Sequence, residues 1–200
     1  MIEPLFSEVI RVQDGVLCRP ELHAARMDRT ARRFWGGTAG DRLAELAVPA
    51  DLRTGRVKCR IVYGAERFEV TYAAYVPRTV HTLSLAQDDT LEYAYKYLDR
   101  GALLNRLHDC VAADEVLIVR RGLLTDTSYT NIVLEDAAGD RFTPAEPLLR
   151  GTMRERLLRE GRITERVIRA DRLGDYRCIH LINAMLDPGE VVVPVEAVLH

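Results

Sequence analysis

The chain has 200 residues, of which 48% are hydrophobic and 29% charged, proportions typical of a globular protein with one large domain or two small ones. A net charge of −2 gives no electrostatic reason to expect nucleic acid or an anionic membrane as a partner. No apolar run approaches the thickness of a bilayer, and the first residues lack a signal-peptide pattern. We therefore predict a cytoplasmic protein that does not span a membrane.

The spacing of cysteine and histidine does not indicate a metal site. The cysteines are Cys18, Cys59, Cys110 and Cys178, and the histidines are His23, His81, His108, His180 and His200. Neither set contains a CxxC, HxH or HxxxH pattern. The sequence therefore predicts free thiols and no bound metal.

Turn residues and hydrophobic periodicity predict an α+β unit in the first half of the chain. Asp14 and Gly15 lie between two apolar-rich runs, which is a strong hairpin signal. Pro20 precedes apolar residues at helical spacing. The predicted elements are a hairpin over 5–19, helices over 21–34 and near 41–46, and strands over 56–63 and 67–75.

A connector at 76–79 separates this unit from a second one, so the predicted domains cover 1–77 and 78–200. Residues 122–131 are predicted as a polar loop between two strands, with a hairpin tip at 136–140. The other predicted elements are strands over 81–85, 115–120, 132–134, 178–182 and 190–195, and helices over 99–112 and 152–160.

Lys96 is one of only two lysines, with Lys58, among 28 basic residues. Arginine stays charged, whereas a lysine amine can lose its proton and attack a carbonyl carbon. A lysine in so arginine-rich a chain is therefore a candidate for chemistry. Rarity alone does not distinguish it from an exposed lysine, which is the common case.

Three polar segments accompany Lys96. The predicted loop carries Asp126 among several hydroxyl groups, and Leu148–Arg154 brings a glycine and a hydroxyl to a helix start, where free N–H groups favour a phosphate. His23–Arg26 places an arginine on an early helix. Each segment has an ordinary alternative, because a threonine at a helix start is commonly a cap and an arginine on a helix commonly forms a surface salt bridge.

Taken in order, these segments resemble the class IV aminotransferases, the pyridoxal phosphate (PLP) enzymes of fold type IV. The family pattern is HxxR, a lysine before a short helix, an acid five residues before Asn, and LLxGxxR. Its counterparts are His23–Arg26, Lys96, Asp126–Asn131 and Leu148–Arg154. The resemblance covers nearly the whole chain. It implies an α+β fold with a small N-terminal α/β domain and a larger C-terminal domain built on a mixed sheet or pseudo-barrel.

The resemblance also implies a role for each residue. Lys96 would bond covalently to PLP and, once displaced by a substrate amine, transfer a proton. Asp126 would face the pyridine nitrogen and keep it protonated. Arg26, Thr152 and the backbone N–H of Met153 would hold the phosphate. The implied cofactor-binding residues are Arg26, Lys96, Asp126, Asn131, Thr152, Met153 and Asn183.

Within the family, the chain is most similar to the branch that contains 4-amino-4-deoxychorismate lyase, which releases pyruvate and leaves 4-aminobenzoate. Lys96–Arg100 looks like the lysine segment of the lyase, and Gly151–Arg154 looks like its phosphate helix. Asn183 and Ala184 favour the lyase, because branched-chain and D-amino-acid transaminases usually have a Thr-rich segment there. Two alternatives stay open: an amino-acid transaminase, and a PLP-binding or interaction module without turnover.

The implied partners are a small amino substrate with a carboxylate and a second copy of the chain, since family members pack as homodimers. The candidate substrate-binding residues are Lys58, Arg60, Arg100 and Ala184. Alternation along a strand places Lys58 and Arg60 on the same face.

The sequence departs from the usual family pattern at several places. Family members usually begin with a further strand and turn, whereas this chain starts at the next strand, over 5–12. Asp126 is one methylene shorter than the usual Glu, and Met153 has no side-chain hydroxyl for a phosphate. Ser7 stands where an aromatic residue often lines the substrate site.

Overall fold

The computed structural model describes residues 3–101, 105 and 113–199. They divide into two compact units, one of Met1–Pro77 with Tyr95–Asp99 and one of Arg78–Ala94 with Arg100–His200. The predicted domains were continuous in sequence, so this division differs from the prediction in one segment. The residues around Lys96 pack with the N-terminal unit because their backbone extends the edge of its sheet.

The first unit is a four-stranded antiparallel sheet with one long helix, among the residues described. Its elements are β1 (Phe6–Gln13), β2 (Val16–Leu17), α1 (Pro20–Phe34), β3 (Arg56–Tyr63) and β4 (Phe68–Ala74), with short 3-10 helices at Gly40–Glu45 and Ala50–Leu52. The strand order is β2-β1-β3-β4. The predicted hairpin is confirmed. Its tight turn has positive φ at both Asp14 and Gly15, as the twist of a two-residue hairpin loop requires.

One face of this sheet packs against α1. Alternate residues of β1 and β3 point into a core that α1 covers with Met27 and Ala31. The predicted helix near 41–46 is instead the 3-10 helix Gly40–Glu45. Its start is tied to α1, because the Asp28 carboxylate accepts hydrogen bonds from the N–H groups of Ala39 and Gly40.

The second unit is mainly sheet. Its elements are β5 (Leu83–Gln87), β6 (Glu115–Arg120), β7 (Leu123–Thr127), β8 (Asn131–Asp136), β9 (Arg141–Pro144), α2 (Thr152–Arg159), β10 (Thr164–Arg166), β11 (Tyr176–Ile182), β12 (Val192–Pro194) and β13 (Val198–Leu199). Neighbouring strands follow the order β10-β9-β8-β7-β6-β5-β13, and β11 pairs with both β8 and β12. The central strands β6 and β8 are buried on both faces, which explains their continuous apolar sequences.

The helix α2 confirms the prediction for residues 152–160. Its buried residues Met153 and Leu157 pack on Val133 of β8 and Ile182 of β11. After the helix ends, Gly161 adopts a positive φ of 65°, the usual conformation just beyond a helix C-terminus. This packing fixes the start of α2 beside β8 and β11.

Several predictions for this unit need correction. Residues 122–131 are not a loop throughout, because Leu123–Thr127 forms β7. The strand was not predicted because its side chains are polar. These side chains are buried and hydrogen bonded, and the Thr125 hydroxyl, for example, donates to the Ile118 carbonyl at 2.8 Å. The short strands β9, β10 and β13 were not predicted.

The predicted helix over 99–112 lies mostly outside the described residues. Mixed helix and sheet in the rest of the chain confirm the predicted α+β class. Among the residues described, no helix combines the length and the apolar character needed to cross a membrane.

Candidate active site

Asp126 lies on β7 directly opposite Asn131 on β8, and its side chain is buried. Its Oδ1 accepts a hydrogen bond from Asn131 Nδ2 at 2.8 Å, and its Oδ2 accepts one from the backbone N–H of Leu149, also at 2.8 Å. Each carboxylate oxygen is therefore held from a different element. The geometry gives the carboxylate one fixed orientation.

The charge of the buried Arg154 acts on Asp126 but does not offset the effect of its burial. Burial raises the pKa of the carboxyl to about 6, and hydrogen bonds from Leu149 and Asn131 offset this only in part. Among the described residues, no cationic group forms an ion pair with Asp126. A bound cation at this carboxylate would therefore stabilise its charged form.

Asn131 acts as a bridge. Its amide nitrogen donates to Asp126 and also, at 2.7 Å, to the carbonyl of Leu149. Its amide oxygen lies so close to Gly151 that a Cβ at position 151 would overlap it. Only glycine fits there, which gives the glycine of the LLxGxxR segment a physical reason. The structure thus shows Asn131 as the residue that positions Asp126.

Gly151 is also the residue that precedes α2, and no side chain caps this helix end. The N–H groups of the first turn, beginning with Thr152 and Met153, have no partners within the helix. Thr152 is a largely buried residue, and its hydroxyl makes no hydrogen bond to another described residue and stays accessible. Met153 turns its side chain into the core. This helix start therefore offers N–H groups and a hydroxyl to an anion.

Lys96 lies in the first unit, in an extended segment beside β1. The N–H of Ser7 donates to the Lys96 carbonyl at 2.9 Å, and the N–H of Leu98 donates to the Leu5 carbonyl at 2.8 Å. The side chain of Lys96 is half-buried. Its backbone is thus fixed by the edge of the sheet.

The neighbours of Lys96 reinforce this position. The ring of Tyr97 lies 5.2 Å from that of Phe6, and the ring of Tyr95 lies 5.0 Å from that of Phe34. Both tyrosines are anchored in the same aromatic cluster of the first unit. Lys96 is therefore held between two anchored residues.

Arg26 and His23 share a buried acid that sequence reasoning missed, Glu8 on β1. Arg26 donates to both oxygens of Glu8, at 2.7 and 2.6 Å, and His23 Nδ1 lies 2.7 Å from Oε2. Burial alone would raise the pKa of Glu8, but these contacts hold it at about 2. Burial lowers the pKa of His23, and the contact with Glu8 offsets this only in part. The available signal was an acid at a core-facing position of an otherwise apolar strand.

The remaining predicted residues have different surroundings. Lys58 and Arg60 lie on the sheet face opposite the core of the first unit, where Lys58 pairs across the strands with Arg11. Arg100 donates to the carbonyl of Ser128. The substrate-binding roles of these residues stay predictions.

Asn183 builds a turn after β11. Its Oδ1 accepts hydrogen bonds from the N–H groups of Met185 at 2.8 Å and Leu186 at 3.1 Å. Ala184 lies inside this turn. The amide of Asn183 therefore has a structural role, and its predicted contact with a cofactor stays a prediction.

The residues of the second unit fit two parts of PLP. A protonated pyridine nitrogen would stabilise the charged form of the buried Asp126 carboxylate. The phosphate would match the uncapped start of α2 and the hydroxyl of Thr152. The contact of Lys96, in the first unit, with the cofactor stays a prediction.

Comparison with known proteins agrees with this fit. Residues 5–198 match the family model of class IV aminotransferases. An uncharacterised protein of Haemophilus influenzae is 33% identical over 185 residues, which are 91% of this chain and 97% of the relative.

Two solved structures are similar in fold. A candidate 4-amino-4-deoxychorismate lyase of Haemophilus somnus 129PT has a TM-score of 0.81 and 28% identity, with 92% of this chain and 98% of that chain covered. The PLP-bound form of a hypothetical aminotransferase from Mycobacterium tuberculosis has a TM-score of 0.74 and 18% identity, with 98% and 81% covered. The chain therefore belongs to the class IV aminotransferases, a family of PLP-dependent enzymes.

Proposed function

We propose that the enzyme is a lyase of the 4-amino-4-deoxychorismate type, which eliminates pyruvate and leaves 4-aminobenzoate. The observation that carries this proposal is the 28% identity, over 92% of the chain, to the candidate lyase of Haemophilus somnus. The sequence Asn183-Ala184 after β11 supports the same branch of the family. PLP would supply an electron sink for the negative charge that develops on the substrate.

In this proposal the residues of the second unit bind the cofactor. Asp126 holds the ring nitrogen protonated, and Asn131 keeps the carboxylate aimed at it. The Thr152 hydroxyl and the N–H of Met153 bind the phosphate. Asn183 fixes the turn that follows β11 and is the further proposed cofactor contact.

In this proposal the residues of the first unit hold the cofactor and transfer a proton. Lys96 holds the cofactor before the substrate arrives and then moves a proton at the substrate carbon with its amine. Arg26, whose guanidinium plane is fixed by two hydrogen bonds to Glu8, is the proposed further contact of the phosphate. The neutral His23 completes this buried group without adding charge.

Substrate recognition would use basic groups. Lys58 and Arg60 lie on one strand face and have no ion-pair partner among the described residues. We propose that they bind carboxylates of the substrate, with Arg100 and Ala184 as further contacts. A substrate of the lyase type has more than one carboxylate, which suits two adjacent cations.

The alternative is an amino-acid transaminase that uses the same lysine and cofactor. The two activities differ in what they consume, because a transaminase needs a 2-oxo acid to regenerate the cofactor. Pyruvate release from 4-amino-4-deoxychorismate with no 2-oxo acid present is the expected result. Turnover that appears only after 2-oxoglutarate or pyruvate is added would establish the transaminase instead.

We also propose that the enzyme forms a homodimer, as expected from the family pattern. Sedimentation equilibrium of the PLP-loaded enzyme tests this directly. A mass of twice the 22.6 kDa chain is expected. A monomer at the concentrations used for the activity assay would contradict it.

A further inference from the structure

Glu135, Cys178 and His180 form a compact group on β8 and β11. Cys178 lies directly opposite Glu135 across the two strands, and His180 follows two residues later on the same face. One potential ligand atom from each lies within 4.8 Å of the others. Glu135 is four residues along β8 from Asn131, or about 13 Å. The group is therefore separate from the residues around Asp126.

Glu135 and Cys178 both contact the same ring nitrogen of His180. Glu135 Oε2 lies 3.1 Å from His180 Nε2, and Cys178 Sγ lies 3.8 Å from that atom. A catalytic Cys-His-Glu arrangement needs the acid and the thiol on opposite nitrogens of the ring. One nitrogen carries at most one proton, so it cannot make good hydrogen bonds of the usual kind to both. Three ligand atoms that converge on one point suit a metal ion instead.

The spacing also fits a tetrahedral ion. For Zn²⁺, bond lengths of about 2.3 Å to sulfur and about 2.0 Å to nitrogen and oxygen give ligand separations of about 3.5 Å for S···N and about 3.3 Å for N···O. The observed separations, 3.8 and 3.1 Å, each lie within a few tenths of an ångström of these values. Thiolate, imidazole and carboxylate together favour zinc over magnesium or calcium.

The second ring nitrogen of His180, Nδ1, lies on the side of the ring away from Glu135 and Cys178. His180 is buried, and its Nδ1 has no hydrogen-bond partner among the described residues. Binding of a metal ion through Nε2 would place the ring proton on Nδ1, where no described residue accepts it. Cys178 is half-buried, so water can reach the group from its side and fill a fourth position.

Two arginines also contact Glu135. Arg141 Nε donates to Oε2 at 2.8 Å, and Arg177 forms an ion pair with Oε1. A carboxylate has about four lone-pair directions, so it can bind a metal ion while the arginines stay in place. Their charges oppose a cation, so the affinity should rise when one of them is removed.

We propose that Glu135, Cys178 and His180 form a site for a zinc ion that links β8 to β11, with water as the fourth ligand. Cysteine and histidine spacing predicted no metal site, because the carboxylate ligand comes from a different strand. Binding releases the thiol proton of Cys178 to solvent, and no oxidation or reduction is involved.

Equilibrium dialysis of the PLP-loaded enzyme against zinc chloride, after removal of metals with a chelator, tests the proposal. Metal analysis should show saturable uptake of about one zinc per chain, and X-ray absorption should show a sulfur ligand at about 2.3 Å. Cys178→Ser should weaken uptake at least about tenfold and remove the sulfur signal. His180→Gln should weaken uptake similarly.

Three further variants complete the test. Cys18→Ser and His81→Gln remove a thiol and an imidazole outside the group and should leave uptake unchanged. Arg177→Gln, at a side chain 65% exposed, should tighten binding. Circular dichroism confirms that each variant is folded. Absence of uptake by the wild-type enzyme, or equal uptake by Cys178→Ser, overturns the proposal.

Discussion

Gly151 and Asn131 are in such close contact that the glycine has no room for a side chain. The amide oxygen of Asn131 occupies the place where a Cβ would lie, while its amide nitrogen donates to Asp126 at 2.8 Å. The start of α2 and the orientation of the Asp126 carboxylate are therefore coupled through one side chain. The proposed phosphate and ring-nitrogen contacts depend on the same amide.

Replacing Gly151 with alanine should damage both contacts. The new Cβ forces Asn131 away from Asp126, and overpacking of this kind typically costs about 1–3 kcal/mol of unfolding free energy. We expect the affinity for PLP, measured by fluorescence titration, to fall at least about tenfold. Gly174→Ala is the matched control, because nothing lies near a Cβ there and φ is not positive. Equal PLP affinity in both variants would contradict the coupling.

Thr152→Val removes a hydroxyl without changing the size of the side chain. Since this hydroxyl has no hydrogen-bond partner among the described residues, its loss should leave the unfolding free energy of the PLP-free enzyme nearly unchanged. The affinity for PLP should fall by about 1 kcal/mol, or roughly fivefold, if the hydroxyl binds the phosphate. Thr71→Val on the exposed strand β4 controls for general effects of the substitution. A large loss of stability without PLP would assign Thr152 a structural role.

The buried Asp126 should make the PLP-free enzyme less stable as pH rises. Its pKa is raised from 3.8 to about 6, so between these values the folded state keeps a proton that the unfolded state has lost. The stability present below pH 3.8 is therefore lost as pH rises through about 6, by about 3 kcal/mol. Urea denaturation of the wild-type enzyme and Asp126→Asn should show this difference. A constant difference across this pH range would contradict the burial argument.

Glu8→Gln should strongly destabilise the first unit. It leaves the Arg26 guanidinium and His23 buried without their shared acid, and breaking such a pair costs about 3–5 kcal/mol. Glu69→Gln removes an acid that also contacts an arginine, Arg67, but is exposed on β4, and should change the unfolding free energy by less than about 0.5 kcal/mol. Urea denaturation measures both. Similar values for the two variants would remove the structural role assigned to Glu8.

Local patterns were sufficient to predict much of the fold. The turn at Asp14-Gly15, the helix α1 and the helix α2 depend on neighbouring residues, so periodicity and turn chemistry identified them. The strand β7 was missed because its polar side chains, such as Thr125 and Asp126, find partners on other elements. No local pattern reports such partners.

The candidate site was predicted in its residues but not in their contacts. Asp126 and Lys96 were identified through order and spacing along the chain. Glu8 was missed because its partners, Arg26 and His23, lie fifteen or more residues away on α1. Asn131 was assigned to the cofactor, and only the structure shows that its amide holds Asp126.

The sequence also did not predict which unit contains Lys96. The chain position of residues 95–99 suggested the second domain, but hydrogen bonds to Leu5 and Ser7 join this segment to the first unit. Pairing between strands distant in sequence is decided by edges and registers. A single sequence does not reveal these.

The central claim is that Lys96 holds the cofactor, and the chain contains its own control because Lys58 is the only other lysine. Borohydride reduction of the PLP-loaded enzyme, followed by peptide mass spectrometry, identifies the lysine that carries the cofactor. We predict that the added mass lies on Lys96 alone and that Lys96→Ala carries none. Label on Lys58, or an unlabelled Lys96 in the loaded enzyme, would contradict the assignment.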